Sequence, residues 1–160
     1  MKTYRDTGAQ GALLDEYEKA IFELKEVIRT VTPEQLIAIA DPETQDADCR
    51  SIQTILTHVV ESGYTYVISI RKHLGELIDY RKKELLTTIS GYENALDRMF
   101  EFNVQLFEDH PNLKLEEYDC EKKILVRWGQ RYDPEQILEH AIVHILRHRR
   151  QIERFLLKLG

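Results

Sequence analysis

Apolar residues recur in steps of three and four along most of the chain, a spacing that is typical of helices with one buried face. Four stretches have this pattern: residues 14–31, 52–70, 85–106 and 137–159. Each stretch is long enough for several helical turns. The pattern therefore predicts four long amphipathic helices.

Capping signals mark where these helices begin and end. Thr32, followed by a proline, predicts the start of an additional short helix that extends over 36–40. Ser51 is positioned to cap the second long helix, and Asp133, also followed by a proline, to cap the last one. Pro111 ends the third helix, because a helix rarely continues through the residue before a proline.

The connection before the last helix has a different pattern. Within residues 113–131 the apolar positions alternate with a period of two, and Gly129 follows them, which indicates a short extended piece or a hairpin over one end of the helices. Four amphipathic helices bury their apolar faces best against one another. We therefore predict an all-α fold: an antiparallel four-helix bundle with a long, partly extended connection before the last helix, formed by residues 1–160 as a single domain.

Length and charge narrow the possible functions. The chain has 160 residues, of which 42% are hydrophobic, and 28 acidic against 22 basic residues give it a net charge of −6. Proteins that hold nucleic acid through its phosphates carry the opposite balance, so we expect no nucleic-acid partner. The apolar runs are far too short to span a membrane, the N-terminal residues do not resemble a signal peptide, and two cysteines make no disulfide framework. We expect a cytoplasmic protein with no membrane partner.

The buried face of the last helix is not entirely apolar. Continuing the spacing from Ile137 leads to His144 and His148, one helical turn (about 5.4 Å) apart. Burying a polar group without a partner costs about 1–3 kcal/mol. A metal ion would satisfy both imidazoles at once, and His58, at the edge of the buried face of the second helix, is the candidate third ligand.

Two familiar histidine motifs do not fit this chain. His140 and His144 have the spacing of a zinc-protease motif, but Ala141 stands where that motif requires a glutamate. The Glu-x-x-His pairs of di-iron bundles are also absent, because Ala141 and Ile145 occupy the glutamate positions. Buried histidines held by ordinary hydrogen bonds, without any metal, remain an alternative to the three-histidine site.

Two segments resemble a known family. The segment from Ser51 through Thr57-His58-Val59-Val60-Glu61-Ser62 resembles the second helix of the DinB-like family of metal-binding four-helix bundles. The segment His140-Ala-Ile-Val-His144-Ile-Leu-Arg-His148-Arg-Arg-Gln-Ile is similar to the last-helix motif of that family, although Arg150 stands where many members have glycine. The resemblance covers nearly the whole chain. It implies a bundle of the DinB/YfiT-like type.

The resemblance also implies a site. One histidine of the second helix and two of the last, which fall on His58, His144 and His148, would bind zinc or nickel, with iron or manganese as alternatives. Glu61, three residues after His58, is a candidate general base, and a solvated or inter-helix charge is its alternative role. His140, one turn before His144, would lie at the edge of the site or face water, and a hydrogen bond to a ligand or an extension of the site is its alternative role.

The function implied by the resemblance is a metal-dependent enzyme that acts on a small molecule. The DinB-like fold resembles that of bacillithiol S-transferases and of mycothiol-dependent maleylpyruvate isomerase, so a low-molecular-weight thiol is the expected co-substrate, with hydrolysis as a variant. The arginines in the second half of the last helix interact favourably with the negative end of the helix dipole. Their alternative role is to form an anion-binding rim around the site. A non-catalytic metal-binding or stress-response bundle and a metal-free interaction bundle are the other hypotheses. Leftover apolar faces predict a homodimer.

Overall fold

A computed structural model describes residues 4–160, so the first three residues of the predicted domain lie outside the described part. Four of its helices are long. The elements in chain order are α1 (Ala9–Ile28), the short helix α2 (Pro33–Ile37), α3 (Ile52–His73), α4 (Ile89–Asp109), the strands β1 (Ile124–Leu125) and β2 (Arg131–Tyr132), and α5 (Pro134–Leu159). Single turns of 3-10 helix lie in two of the connections, at Ala47–Cys49 and Cys120–Lys122. This confirms the predicted all-α fold of four long helices.

The four long helices form a bundle in which each contacts two neighbours. α1 packs against α4 and α5, and α3 packs against the same two helices, so α1 and α3 lie diagonally opposite. α3 and α5 run antiparallel, because His58 in the first half of α3 meets His148 while Tyr66, further along α3, meets His140. This pairing brings the first half of α3 beside the second half of α5. The metal-site candidates lie at that interface.

The directions of the helices are not antiparallel throughout. α3 and α4 run parallel, because Tyr92 at the start of α4 donates a hydrogen bond to the carbonyl of Gln53, and Asp109 at the end of α4 pairs with Arg71. The connection over residues 74–88 is long enough to carry the chain back along the bundle before α4 begins. The α3–α5 pair is therefore antiparallel, as predicted, whereas the α3–α4 pair is parallel, which the sequence pattern did not predict.

Side-chain caps begin the helices where the sequence predicts them. Ser51 accepts a hydrogen bond from the Thr54 N–H at 3.1 Å, and Asp133 accepts one from the Gln136 N–H at 2.9 Å. Thr32 caps α2 in the same way. A cap satisfies backbone donors that the first turn of a helix leaves free, so these residues set the helical register of α3 and α5. That register determines which side chains face each other across the α3–α5 interface.

The core is continuous through the bundle and consists of aliphatic and aromatic residues from all four long helices. Its fully buried members include Leu24, Ile28, Ile55, Leu96 and Ile137. The predicted apolar faces therefore point inward, as their spacing indicates.

The structure differs from the sequence predictions at three further places. α4 begins at Ile89 rather than at Leu85, which is 60% exposed, because Thr88 is the residue that caps the helix. α2 ends at Ile37, earlier than the predicted 36–40 helix. The predicted hairpin is present but shorter: Trp128 lies in its turn, before Gly129 with a φ of 87°.

Two connections lie against the α3–α5 interface. The link between α2 and α3 is held by a hydrogen bond from the Ala40 N–H to the Arg50 carbonyl, and it carries Asp48 toward α3. The β1–β2 hairpin contacts α3 through β1 and α5 through β2. Within residues 4–160, none of the helices combines the length and the apolar character needed to cross a membrane.

Candidate metal centre

Three histidines converge between α3 and α5. Nε2 of His144 lies 2.9 Å from Nε2 of His58 and 3.2 Å from Nε2 of His148. One ring nitrogen from each residue can be chosen so that all three lie within 4.8 Å of one another. The structure thus brings together the three histidines that the sequence predicts as ligands.

Their surroundings keep the three imidazoles neutral. Burial lowers the pKa of His144 to about 2, and the neighbouring His148 and His58 contribute to that shift. Burial, with a smaller contribution from His58, lowers the pKa of His148 to about 4. Burial also lowers the pKa of His58, although Asp48 opposes the change. Because a metal ion binds neutral imidazole, these three side chains are in the protonation state that a ligand requires.

Two other side chains contact the outward nitrogens of these rings. Gln151 Oε1 lies 3.1 Å from Nδ1 of His148, and Asp48 Oδ2 lies 3.3 Å from Nδ1 of His58. The Gln151–His148 contact is a hydrogen bond. The Asp48–His58 contact is within ion-pair distance, but its atoms are not aligned for a hydrogen bond. Asp48 Oδ2 also pairs with Lys83 of the connection between α3 and α4. Polar groups thus lie behind two of the three ligands.

Aromatic rings form one wall of the site. Tyr66 lies edge-on to His144 with 5.8 Å between ring centroids. His140, one turn before His144, stacks on Trp128 of the hairpin turn at 4.9 Å, and Trp128 also meets Tyr66 at 5.7 Å. His140 therefore lies beside the site, as predicted, in contact with the hairpin.

The candidate general base, Glu61, lies one turn along α3 from His58. Its Oε1 accepts a hydrogen bond from the Thr65 hydroxyl at 3.0 Å and lies 3.6 Å from Arg127 of the hairpin. Its charge acts on His58, whose pKa it raises slightly against the larger effect of burial. Glu61 is not one of the three clustered metal-ligand candidates.

The arginines of α5 point in different directions. Arg149 pairs with Glu23 of α1 and with Glu153, so it belongs to the α1–α5 interface. Arg147 is exposed, and its charge adds to the lowering of the pKa of His144 after burial and the other two ligand candidates. Of these two arginines, Arg147 is therefore the one whose charge acts at the histidine cluster.

A separate, open cavity lies away from the histidine cluster. It has a volume of about 420 Å³ and lies between the ends of α3 and α4 and the segment before α5, where His73, Asp109 and Lys123 are among its lining residues. The histidine site is instead a tight, mostly buried cluster, in which the His58 side chain is 25% exposed. Access to the cluster is therefore on the His58 side.

Asp48, Lys83 and Gln151 are site residues that the sequence patterns did not single out. Gln151 stands in the last-helix segment that resembles the family motif, three residues after His148, so its position on the same helix face could have indicated it. Asp48 and Lys83 lie in connections where no helical or strand periodicity indicates which way a side chain points.

The donor set fits a divalent metal ion. Three neutral imidazoles from two rigid helices, two of them backed by polar groups, are a common arrangement for such an ion. Fold and site together define a four-helix bundle with a three-histidine cluster fit for metal binding. The chain belongs to the DinB family, whose sequence model matches residues 5–160. No curated protein matches the chain.

Proposed function

We propose that this protein is a metal-dependent enzyme that acts on a small molecule, with His58, His144 and His148 as the ligands of zinc or nickel. Iron and manganese are the alternative metals. The observation that carries the proposal is the convergence of three neutral imidazoles between α3 and α5, with Nε2 of His144 no more than 3.2 Å from Nε2 of either neighbour. Without an ion, nitrogen lone pairs at these distances would oppose each other unless a proton lay between them.

Three protein ligands leave a coordination position for a substrate, which is typical of catalytic rather than structural sites. An ion held in this way supplies Lewis acidity, which lowers the pKa of a thiol or a water molecule that binds to it. We propose a low-molecular-weight thiol as the co-substrate: the thiol would give its proton to a base, and its sulfur would then form a bond to an electrophilic carbon, from which the leaving group departs with its electron pair. This step rests on the family resemblance, since fold alone does not establish a reaction.

Residues around the opening have separate tasks in this proposal. Glu61 accepts a proton from the nucleophile at one carboxylate oxygen, while Thr65 and Arg127 hold that carboxylate in place. Arg147 attracts an anionic group of the substrate to the opening. Tyr66 and Trp128 exclude water from one side of the site.

A non-catalytic metal-binding protein is the second candidate. It is favoured by the low exposure of His144 and His148, 5% and 4%. In that case the ion would link α3 to α5 and have no exchangeable position. The predicted homodimer stays a prediction; apolar side chains such as Phe22 of α1 and Val143 of α5 are exposed.

Metal analysis followed by turnover assays tests the proposal. We expect about one metal ion per chain in protein purified without nickel resin or chelator, and loss of that ion in H144A/H148A. The matched control is H73A, because His73 is an exposed histidine at the far end of α3 and should leave the metal content unchanged.

The loaded protein is then assayed with small thiols and model electrophiles. Metal-dependent turnover that falls in Glu61→Gln, with the metal content unchanged, supports the enzyme. Stoichiometric metal without turnover with any thiol would favour the non-catalytic candidate. A wild-type protein that takes up no metal would exclude both.

A further inference from the structure

A buried nitrogen behind the site lacks a hydrogen bond. Among the described residues, Nδ1 of His58 is inaccessible to solvent and has no hydrogen-bond partner. The Asp48 carboxylate is nevertheless close, with 3.3 Å between Oδ2 and Nδ1. A buried polar atom without a partner is rare in proteins and calls for an explanation. A small rotation of the carboxylate would complete the bond.

We propose that Asp48 is a positioning residue of the metal centre: its carboxylate accepts the Nδ1–H of His58 and so leaves Nε2 free to bind the ion. A neutral imidazole carries one proton, and an acceptor at Nδ1 decides which nitrogen carries it. The proposal rests on the proposed metal site, and it adds residues that the ligand set does not contain.

The second ligand shows the same arrangement in completed form. Nδ1 of His148 lies 3.1 Å from Oε1 of Gln151, one turn further along α5. There the amide oxygen of Gln151 accepts the proton, so Nε2 of His148 faces the other two histidines. The two acceptors differ in charge, and a carboxylate makes the imidazole a more basic ligand than a neutral amide does. His58 is therefore the ligand whose metal affinity depends more on its acceptor.

Lys83 competes with His58 for the acceptor. Its ammonium group pairs with Oδ2 of Asp48, the same oxygen that lies nearest to Nδ1 of His58. Removing Lys83 should thus strengthen the Asp48–His58 contact, whereas Asp48→Asn, which keeps an amide oxygen but removes the charge, should weaken it.

This competition gives the two partners of one ion pair opposite effects on metal binding. If the Asp48–Lys83 pair mattered only for folding of the connections, both variants would break the same pair and shift the affinity in the same direction. Opposite shifts therefore exclude a merely structural role, and the position of the proton on His58 separates positioning from the direct effect of each charge on a cation.

The test is a competition titration of the metal-free protein with Co²⁺ or Zn²⁺ against a chromophoric chelator, at one pH. We expect Asp48→Asn to weaken binding about 10-fold, the lower end of the range found when the group behind a ligating histidine is mutated, because the amide oxygen is a weaker acceptor than the carboxylate. Lys83→Met should bind the ion more tightly than the wild type. Lys82→Met is the matched control, because it removes a neighbouring, exposed charge that does not pair with Asp48.

Nitrogen NMR of His58 supplies a second readout that folding alone would not move. In the metal-free wild type we expect the proton mainly on Nδ1, and in Asp48→Asn a larger share on Nε2. Equal affinities of wild type and Asp48→Asn, or weaker binding by both Asp48→Asn and Lys83→Met, would overturn the positioning role. A wild type that binds no metal would instead overturn the proposed function itself.

Discussion

Gly63 shows how a single residue brings α3 and α4 together. A Cβ added at this glycine would lie 2.7 Å from Cγ of Met99, a side chain that is fully buried in α4. Met99 is further fixed by the Tyr17 hydroxyl at 3.5 Å and the Asn103 amide at 3.4 Å from its sulfur. Glycine inside a helix costs about 1 kcal/mol relative to alanine, so close packing explains its presence here.

We therefore expect Gly63→Ala to lower the free energy of unfolding by about 1–2 kcal/mol, because the steric cost of overpacking exceeds the gain in helix propensity. In a Met99→Ala background the obstruction is gone, and the same change should stabilise the protein by up to about 1 kcal/mol. Urea denaturation of the wild type, Gly63→Ala, Met99→Ala and the double variant measures both effects. Stabilisation by Gly63→Ala in the wild-type background would contradict the packing explanation.

At the scale of elements, Asp133 links the start of α5 to the segment before it. Its carboxylate accepts the Gln136 N–H and lies 3.0 Å from Nζ of Lys123. Burial alone would raise the pKa of Asp133, but the Gln136 N–H and the Lys123 ammonium group hold it below its usual value. Asp133 therefore stabilises the start of the helix that carries His144 and His148.

The direction of that pKa shift predicts a pH dependence. Because the folded-state pKa lies below the unfolded value of about 3.9, the stabilisation is present above that pH and is lost as the pH falls through the folded-state pKa. Asp133→Asn keeps a capping oxygen and removes the charge. We expect the wild type to lose more stability than Asp133→Asn between about pH 5 and pH 3 in urea titrations. If the free energy of unfolding fell equally in both proteins over this pH range, the carboxylate charge would not matter here.

The same elements show how far the sequence could predict the structure. Periodicity and caps indicated α3 and α5 closely, and their apolar spacing placed His144 and His148 on a buried face. The predicted start of α4 was wrong because Leu85 continues the apolar spacing by chance, while the cap at Thr88 decides where the helix begins.

The part of the site that lies in connections could not be predicted. Asp48 reaches His58 only because the link before α3 folds back along the bundle, and Lys83 reaches Asp48 from a different connection. Such contacts between irregular segments depend on tertiary packing, for which a local pattern gives no signal. Trp128 lies beside the site for the same reason: the hairpin rests on both α3 and α5.

At the scale of the whole molecule, the proposed ion would join two helices that are far apart in sequence. His58 and His144 are 86 residues apart, and α3 and α5 otherwise meet through their apolar faces. An ion that binds the folded chain and not the unfolded one raises stability by RT ln(1 + [metal]/Kd), about 2.7 kcal/mol when the metal is at 100 times Kd. The effect would stabilise the bundle as a unit, because α1 packs against α5 and α4 packs against α3.

We expect saturating zinc or nickel to raise Tm by about 5–10 °C for a chain of this size, and a chelator to reverse the rise. H144A should show no metal-dependent shift, because it removes the histidine that contacts both other ligands. H73A, with an exposed histidine at the end of α3, should keep the full shift. Scanning calorimetry with and without chelator measures all three proteins. An equal rise in H144A and wild type would mean that the ion binds elsewhere on the surface, and the three-histidine cluster would then be held by hydrogen bonds alone.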